Sequence, residues 1–169
     1  ALSVAQELEE LGNVGWLEEP LDRRNYNGLA RLRERTDVPI AGGEFNNGVH
    51  QFREFITHGS LDILQPDAVL ATGISGATKV AAMADTHGLA FAPHTWNDGL
   101  GFVANLHVLA ATSARWCEYP LDPPGWVPAS RDFLLEEPVV AENGAVAPPE
   151  GPGLGVELDW DLIEELDES

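Results

Sequence analysis

The 169-residue sequence predicts an α/β fold, a partial (β/α) TIM-type barrel of about five β/α units, on three observations. Five short runs (Val14–Leu17, Val38–Ala41, Leu61–Leu64, Leu89–Ala92 and the less apolar Arg115–Cys117) lead into Glu18, Glu44, Asp67, His94 and Glu118. Those five ionisable residues lie 26, 23, 27 and 24 positions apart, each interval about one strand plus one helix. Stretches of helical periodicity fill the intervals, and such alternation argues for βαβ units and a parallel sheet. In a barrel of this kind the carboxyl ends of the strands converge on one face, where chemistry is done.

Each element has its own signal. Ala1–Leu11 places Val4, Leu8 and Leu11 on one stripe and stops at Gly12. Tyr26–Thr36 sets Leu29, Leu32 and Arg33 at helical spacing, and Val49–His58 sets Phe52, Phe55 and Ile56 on one face before Gly59. Ser75–His87 carries Val80, Met83 and Ala84 and stops at Gly88, and Leu100–Thr112 is apolar along one side. Glycine directly after a helical stretch is the expected C-cap. After Tyr119 the rhythm breaks: Pro120, Pro123, Pro124 and Pro128 constrain a loop. Val139–Ala141 and Ala145–Ala147 flank Asn143-Gly144, a hairpin signal, and Asp159 is placed to cap a last helix over Trp160–Leu166. Residues 1–119 therefore read as partial barrel, and 120–169 as an accessory segment of loop, hairpin and short helix.

Five strands cannot close an eight-stranded barrel, and 169 residues fall short of the ~250 usual for a complete one. The expectation is a piece of a longer protein, or a half that pairs with a second copy or with the missing half-barrel. Open sheet edges invite such pairing. Twenty-eight acidic residues against nine basic ones give a net charge of −19. That surface repels nucleic acid and anionic membranes, which call for Lys/Arg patches. Its self-repulsion is screened at molar salt, where the screening length falls to about 3 Å, so a salt-accumulating (halophilic) cytoplasm is expected. No apolar run approaches the ~18 residues that cross a bilayer, and cytoplasmic localisation is the default. The single cysteine, Cys117, excludes an internal disulfide and, next to Glu118 in a strand, is expected to pack as inert core.

Local sequences add a resemblance. Trp16-Leu17-Glu18-Glu19-Pro20, Gly42-Gly43-Glu44, Gln65-Pro66-Asp67 with Gly73-Ile74-Ser75, Pro93-His94-Thr95 and Trp116-Cys117-Glu118 occur in that order, followed by Gly151-Pro152-Gly153-Leu154-Gly155-Val156. Together they resemble the C-terminal barrel region of the mandelate racemase/muconate lactonizing enzyme family of the enolase superfamily. The resemblance implies that residues 120–169 contribute to a capping region. It implies Mg²⁺ as cofactor, with Glu18 and Glu44 as ligands, and His94 as base oriented by Asp67. Glu118 would donate a hydrogen bond to the substrate carboxylate. Strand alternation points Glu19 the other way, so it is expected to support the ligands from behind or to be structural. The family's Lys-x-Lys pair and first carboxylate ligand have no counterpart here; Lys79 is the only lysine.

The chemistry agrees with these residue types. Magnesium takes hard oxygen ligands, which two carboxylates on adjacent strand ends can supply. An imidazole oriented by a carboxylate is fixed in one tautomer and made more basic. Trp96 and Asn97 after His94, and Asn46 after Glu44, are candidates for contacts to a polyhydroxylated substrate, although loop polarity alone predicts the same residues. The implied reaction is α-proton abstraction from a sugar acid followed by loss of water. Racemisation or epimerisation of a 2-hydroxy acid is the alternative, and a catalytically incomplete fragment acting only by association is another.

Overall fold

The computed structural model describes residues 1–167. Four short strands, β1 (Leu17–Glu18), β2 (Ile40–Gly42), β3 (Ile63–Leu64) and β4 (Ala90–Phe91), form a parallel sheet in sequence order. Its register pairs Leu17 with Ile40, Ala41 with Ile63, and Ile63 with Ala90. Helices α1 (Leu2–Leu11), α2 (Tyr26–Arg33), α3 (Val49–His58), α4 (Gly73–His87) and α5 (Gly99–Ala110) precede, connect and follow the strands. All five lie where the periodicity places them, α3 to the residue and the others with ends moved by at most three residues. Gly12, Gly59 and Gly88 cap α1, α3 and α4 in the left-handed conformation, as their positions predict.

Strand alternation divides the core. Ile40 and Leu64 turn toward the helices and join Leu29, Leu32, Phe52, Phe55, Val80 and Ala84 in one buried cluster. Ala41, Ile63 and Ala92 turn to the opposite side, against Trp16. Burying a phenylalanine of this size is worth about 1.5–3 kcal/mol, so Phe52 and Phe55 anchor α3 to the sheet. Phe52 also reaches the backbone of Gly43. A Cβ at Gly43 would lie 2.5 Å from the Phe52 ring, and Gly43 has φ +126°. Only glycine fits there, and it sets the path of the chain into Glu44.

The sequence-predicted fifth strand is not formed: Arg115–Cys117 pairs with no ladder, so the sheet has four strands rather than five. The segment is tied to the neighbouring loop by side chains instead. The backbone N–H of Thr95 donates to Glu118 Oε2 at 2.9 Å, and the Thr95 hydroxyl donates to the Glu118 carbonyl. Glu118 is thereby delivered to its expected place without strand pairing.

Beyond residue 120 the chain lies against α5. Tyr119, Val139, Val146, Leu154 and Val156 pack with Phe102, Val103 and Leu106, and Cys117 is in the same cluster. Burial and the neighbouring Glu118 charge push the Cys117 thiol up to about 11, leaving it protonated and inert. A short helix missed by periodicity, α6 (Pro128–Arg131), buries Arg131 between the rings of Phe102 and Tyr119. Asp132 pairs with its guanidinium through two 2.6 Å contacts. The Asn143-Gly144 turn is present, with φ of 53° and 77° between the bridged Glu142 and Ala145. Helix α7 (Trp160–Asp167) is capped by Asp159, whose Oδ1 accepts from Leu162 N at 3.0 Å. Among the described residues no helix is long and apolar enough to cross a membrane.

Candidate active site

The carboxyl ends of the four strands, with the segment at Glu118, bring five of the predicted residues together. Glu18 closes β1, Glu44 follows β2 through Gly43, Asp67 follows β3, and His94 follows β4. A cavity of about 430 Å³ is lined by Glu18, His94, Trp96, Glu118 and Tyr119.

His94 is 6% exposed and Asp67 fully buried. Their contact is 2.9 Å, between His94 Nδ1 and Asp67 Oδ2. A carboxylate only accepts, so the proton is on Nδ1 and Nε2 points away from Asp67. Asp67 is itself held firmly. Its Oδ1 accepts from Val69 N at 2.6 Å, Leu70 N at 3.0 Å and Asn105 Nδ2 at 3.3 Å, and Oδ2 also accepts from Asn97 Nδ2 at 2.6 Å. Burial raises the Asp67 carboxyl, but the hydrogen bonds from His94, Leu70, Asn97 and Val69 outweigh it and hold the group below its ordinary value. Burial disfavours charge on His94 too. The Asp67 hydrogen bond and the charges of Glu118, Glu44 and Asp67 overcome that, so its pKa is raised.

On the other side of the imidazole, Nε2 lies 3.1 Å from Glu44 Oε2. Glu44 is raised above the usual carboxylate range, first by burial and then by repulsion from Glu19 and Glu18, with His94 opposing. Glu18 Oε2 accepts from the Trp16 indole at 3.1 Å and from Gln65 Nε2 at 2.9 Å. The same Gln65 amide donates to Glu118 Oε1 at 3.2 Å, so one side chain spans two carboxylates. Burial is the main reason the Glu118 carboxyl rises to about 7; Thr95 N–H and His94 oppose the rise and the Glu18 charge adds to it. Glu19, φ +38°, turns away from the cavity and accepts from Gly43 N at 3.3 Å.

Donor atoms of Glu18, Glu44 and His94 all lie within 4.8 Å of one another. Two carboxylates repelling each other in a half-buried pocket fit a divalent cation, which would offset both the burial of Glu44 and its repulsion from Glu18.

The predicted substrate contacts divide. Trp96, 53% exposed, lines the cavity. Asn97 is committed to Asp67 instead. Asn46 does not reach the cavity: it is fully buried and donates to Gln51 Oε1 at 3.0 Å, because the turn after Gly43 directs it inward. Sequence reasoning missed Gln65, Asn105 and Tyr119. Asn105 carried a usable signal, an amide in the middle of the apolar α5; its Oδ1 accepts from Ala68 N at 2.8 Å. Three other histidines bond to backbone carbonyls away from the cavity: His58 Nδ1 to Glu54 O, His87 Nδ1 to Met83 O and His107 Nε2 to Leu154 O.

A parallel sheet whose strand ends gather acids, a histidine and a candidate cation site defines an enzyme-like α/β domain. Comparison with known proteins makes the class specific: residues 1–162 match the enolase C-terminal domain-like family, and the chain belongs to it. D-galactarolactone cycloisomerase of Agrobacterium fabrum is 34% identical over 158 residues, covering 90% of this chain and 42% of that protein. Arabinonate dehydratase of Saccharolobus solfataricus is 34% identical over 165 residues, covering 98% and 43%. Among solved structures, a mandelate racemase/muconate lactonizing enzyme-like protein from Roseovarius sp. TM1035 superposes with a TM-score of 0.86 at 31% identity, covering 97% of this chain and 40% of that one. The 3,6-anhydro-D-galactonate cycloisomerase of Zobellia galactanivorans gives 0.83 at 33% identity, covering 98% and 47%. The chain thus spans less than half the length of these relatives.

Proposed function

We propose that this chain is the C-terminal barrel portion of an Mg²⁺-dependent acid-sugar dehydratase, with 120–169 serving as part of its capping region. The observation that carries the reading is the buried Asp67–His94 pair set beside two carboxylates at the strand ends. That several relatives are named as sugar-acid dehydratases supports it.

In this reading Glu18 and Glu44 hold the cation, which supplies positive charge for a substrate carboxylate. A proton α to a carboxylate is very weakly acidic, so the charge released on its removal has to be stabilised as it forms. His94 Nε2 takes that proton while Asp67 holds the ring by Nδ1 and stabilises the imidazolium. The C–H electron pair moves into the bond toward the carboxylate. Glu118, whose carboxyl burial raises to about 7 so that a substantial fraction is protonated at neutral pH, donates a hydrogen bond to a carboxylate oxygen in its protonated form. The electrons then return to form the C2–C3 double bond as the C3–O bond breaks, and the departing hydroxide takes the proton from His94 and leaves as water. The resulting enol tautomerises to a 2-keto-3-deoxy acid. Trp96 and Tyr119, on the cavity wall, are placed to cover the sugar chain.

A second reading, isomerisation, is favoured by the cycloisomerase relatives. Racemisation is less favoured, because it requires a base on the opposite face. Lys79, the only lysine, is exposed on α4. The test is the complete reading frame containing this chain, incubated with Mg²⁺ and a panel of aldonic and aldaric acids. A 2-keto-3-deoxy product is expected from at least one; none from any ends the dehydratase reading. As a piece that lacks a counterpart of the family's lysine pair, the 169-residue chain alone is expected to be weak or inactive. Its expected partners are a sugar-acid carboxylate and a second copy or the remaining half-barrel; its expected setting is a salt-rich cytoplasm.

A further inference from the structure

The cluster nearest to a cation site contains a nitrogen. Of the three residues whose donor atoms lie within 4.8 Å, two offer carboxylate oxygen and the third is His94. Its Nε2 stands 3.1 Å from Glu44 Oε2, a spacing that adjacent donors take around one cation with bonds of about 2.0–2.2 Å. The imidazole is built as metal-binding imidazoles are: the far ring nitrogen is hydrogen-bonded to a carboxylate, which directs Nε2 outward to Glu44, and a cation would take the place of the proton these two atoms share. Glu18 is likewise supported by Trp16 and Gln65. Gln65, 1% exposed, leaves its Oε1 without a hydrogen-bond partner among the described residues.

Cations differ in what they ask of such a set. Hard Mg²⁺ prefers oxygen and retains its water, whereas imidazole suits zinc and its neighbours, which also bind mixed N/O sites more tightly. The geometry points to a change of duty for His94: borderline-soft divalent cations of the Zn²⁺ and Cd²⁺ type are held by Glu18, Glu44 and His94 Nε2 together. Mg²⁺ engages the two carboxylates and leaves the imidazole free. A soft cation at this position occupies the lone pair that would accept the proton, so it blocks the site by removing its base as well as by displacing Mg²⁺. The inference rests on the reading of Glu18 and Glu44 as cation ligands, and extends it to the identity of the cation the chain admits.

The test uses the full 169-residue chain, ¹⁵N-labelled on histidine. With ¹¹³Cd²⁺, a one-bond nitrogen–cadmium coupling is expected at His94 Nε2, and excess Mg²⁺ abolishes it. By calorimetry, His94→Gln is expected to lower Zn²⁺ affinity about 10–100-fold, at least the loss that removing an outer-shell partner causes, and to leave Mg²⁺ affinity within about twofold. The coupling is read on the unsubstituted chain, so it stands whether or not the variant folds. Coupling only at His50, His58, His87 or His107, no coupling at all, or Zn²⁺ affinity unchanged by the substitution would overturn the inference. None of those results bears on dehydration with Mg²⁺, and failure of the sugar-acid panel leaves the nitrogen–cadmium coupling to be read on its own.

Discussion

Replacing Asp67 by asparagine changes one atom in a fully buried side chain that receives five hydrogen bonds. The amide oxygen can keep the Oδ1 contacts to Val69, Leu70 and Asn105. Its NH₂ then faces His94 and Asn97, both of which donate in the native protein. Two changes restore pairing: the Asn97 amide turns over, and His94 moves its proton from Nδ1 to Nε2. Bonds to charged groups are worth about 1.5–3 kcal/mol and neutral ones about 0.5–1.5, so two exchanges cost about 2–3 kcal/mol of folding stability. The tautomer change removes the lone pair from the nitrogen facing Glu44. Urea unfolding of Asp67→Asn beside the native chain measures the first effect, and ¹⁵N shifts of the His94 ring measure the second. A loss under about 0.5 kcal/mol with the proton still on Nδ1 would refute the assignment of Asp67 as the residue that orients His94.

Other perturbations test neighbouring parts. Glu118 binds its proton more tightly folded, at about 7 against 4.5. Its contribution to stability is complete below the unfolded value and is lost as pH rises through 7. His94, also raised, contributes in the same direction; Asp67, lowered, contributes nothing in this window. In chelator, the native chain should therefore lose more stability between pH 5 and 8 than Glu118→Gln does, and equal urea midpoints across that range would contradict the burial argument. Gly43→Ala places a Cβ 2.5 Å from Phe52 at φ +126°, and overpacking of this kind costs about 1–3 kcal/mol. It should also weaken Mg²⁺ binding by displacing Glu44; a stable variant with unchanged calorimetry counts against the role given to the turn. A net charge of −19 predicts a melting temperature that climbs from low salt to molar NaCl, and a flat titration removes the salt-adaptation reading.

The sequence was most informative where a short apolar run ends on an ionisable group, since strand period and sheet topology together leave little freedom there. Glu18, Asp67 and His94 follow from that pattern, and Val49–His58 was readable to the residue because Phe52 and Phe55 mark its face and Gly59 its end. The pattern failed at Arg115–Cys117, whose weak apolar character matches its lack of a ladder partner, although Thr95 still delivers Glu118. Asn46 and Asn97 were legible as polar loop residues but not in direction: one turns into the protein toward Gln51 and the other back to Asp67. Gln65 could not be assigned from sequence, because spanning Glu18 and Glu118 depends on residues 47 and 53 positions away.

The proposed proton abstraction by His94 is tested most directly by exchange at the α-carbon. The product of the complete reading frame, with Mg²⁺ and a sugar acid from the panel, is followed in D₂O by ¹H NMR. Loss of the α-proton signal or its conversion to a 2-keto-3-deoxy product is expected with the native protein. Both should fall at least about 10²-fold in a folded His94→Asn variant, the lower end of what a positioned general base contributes. Exchange or product formed equally fast without His94 would contradict the assignment of the base.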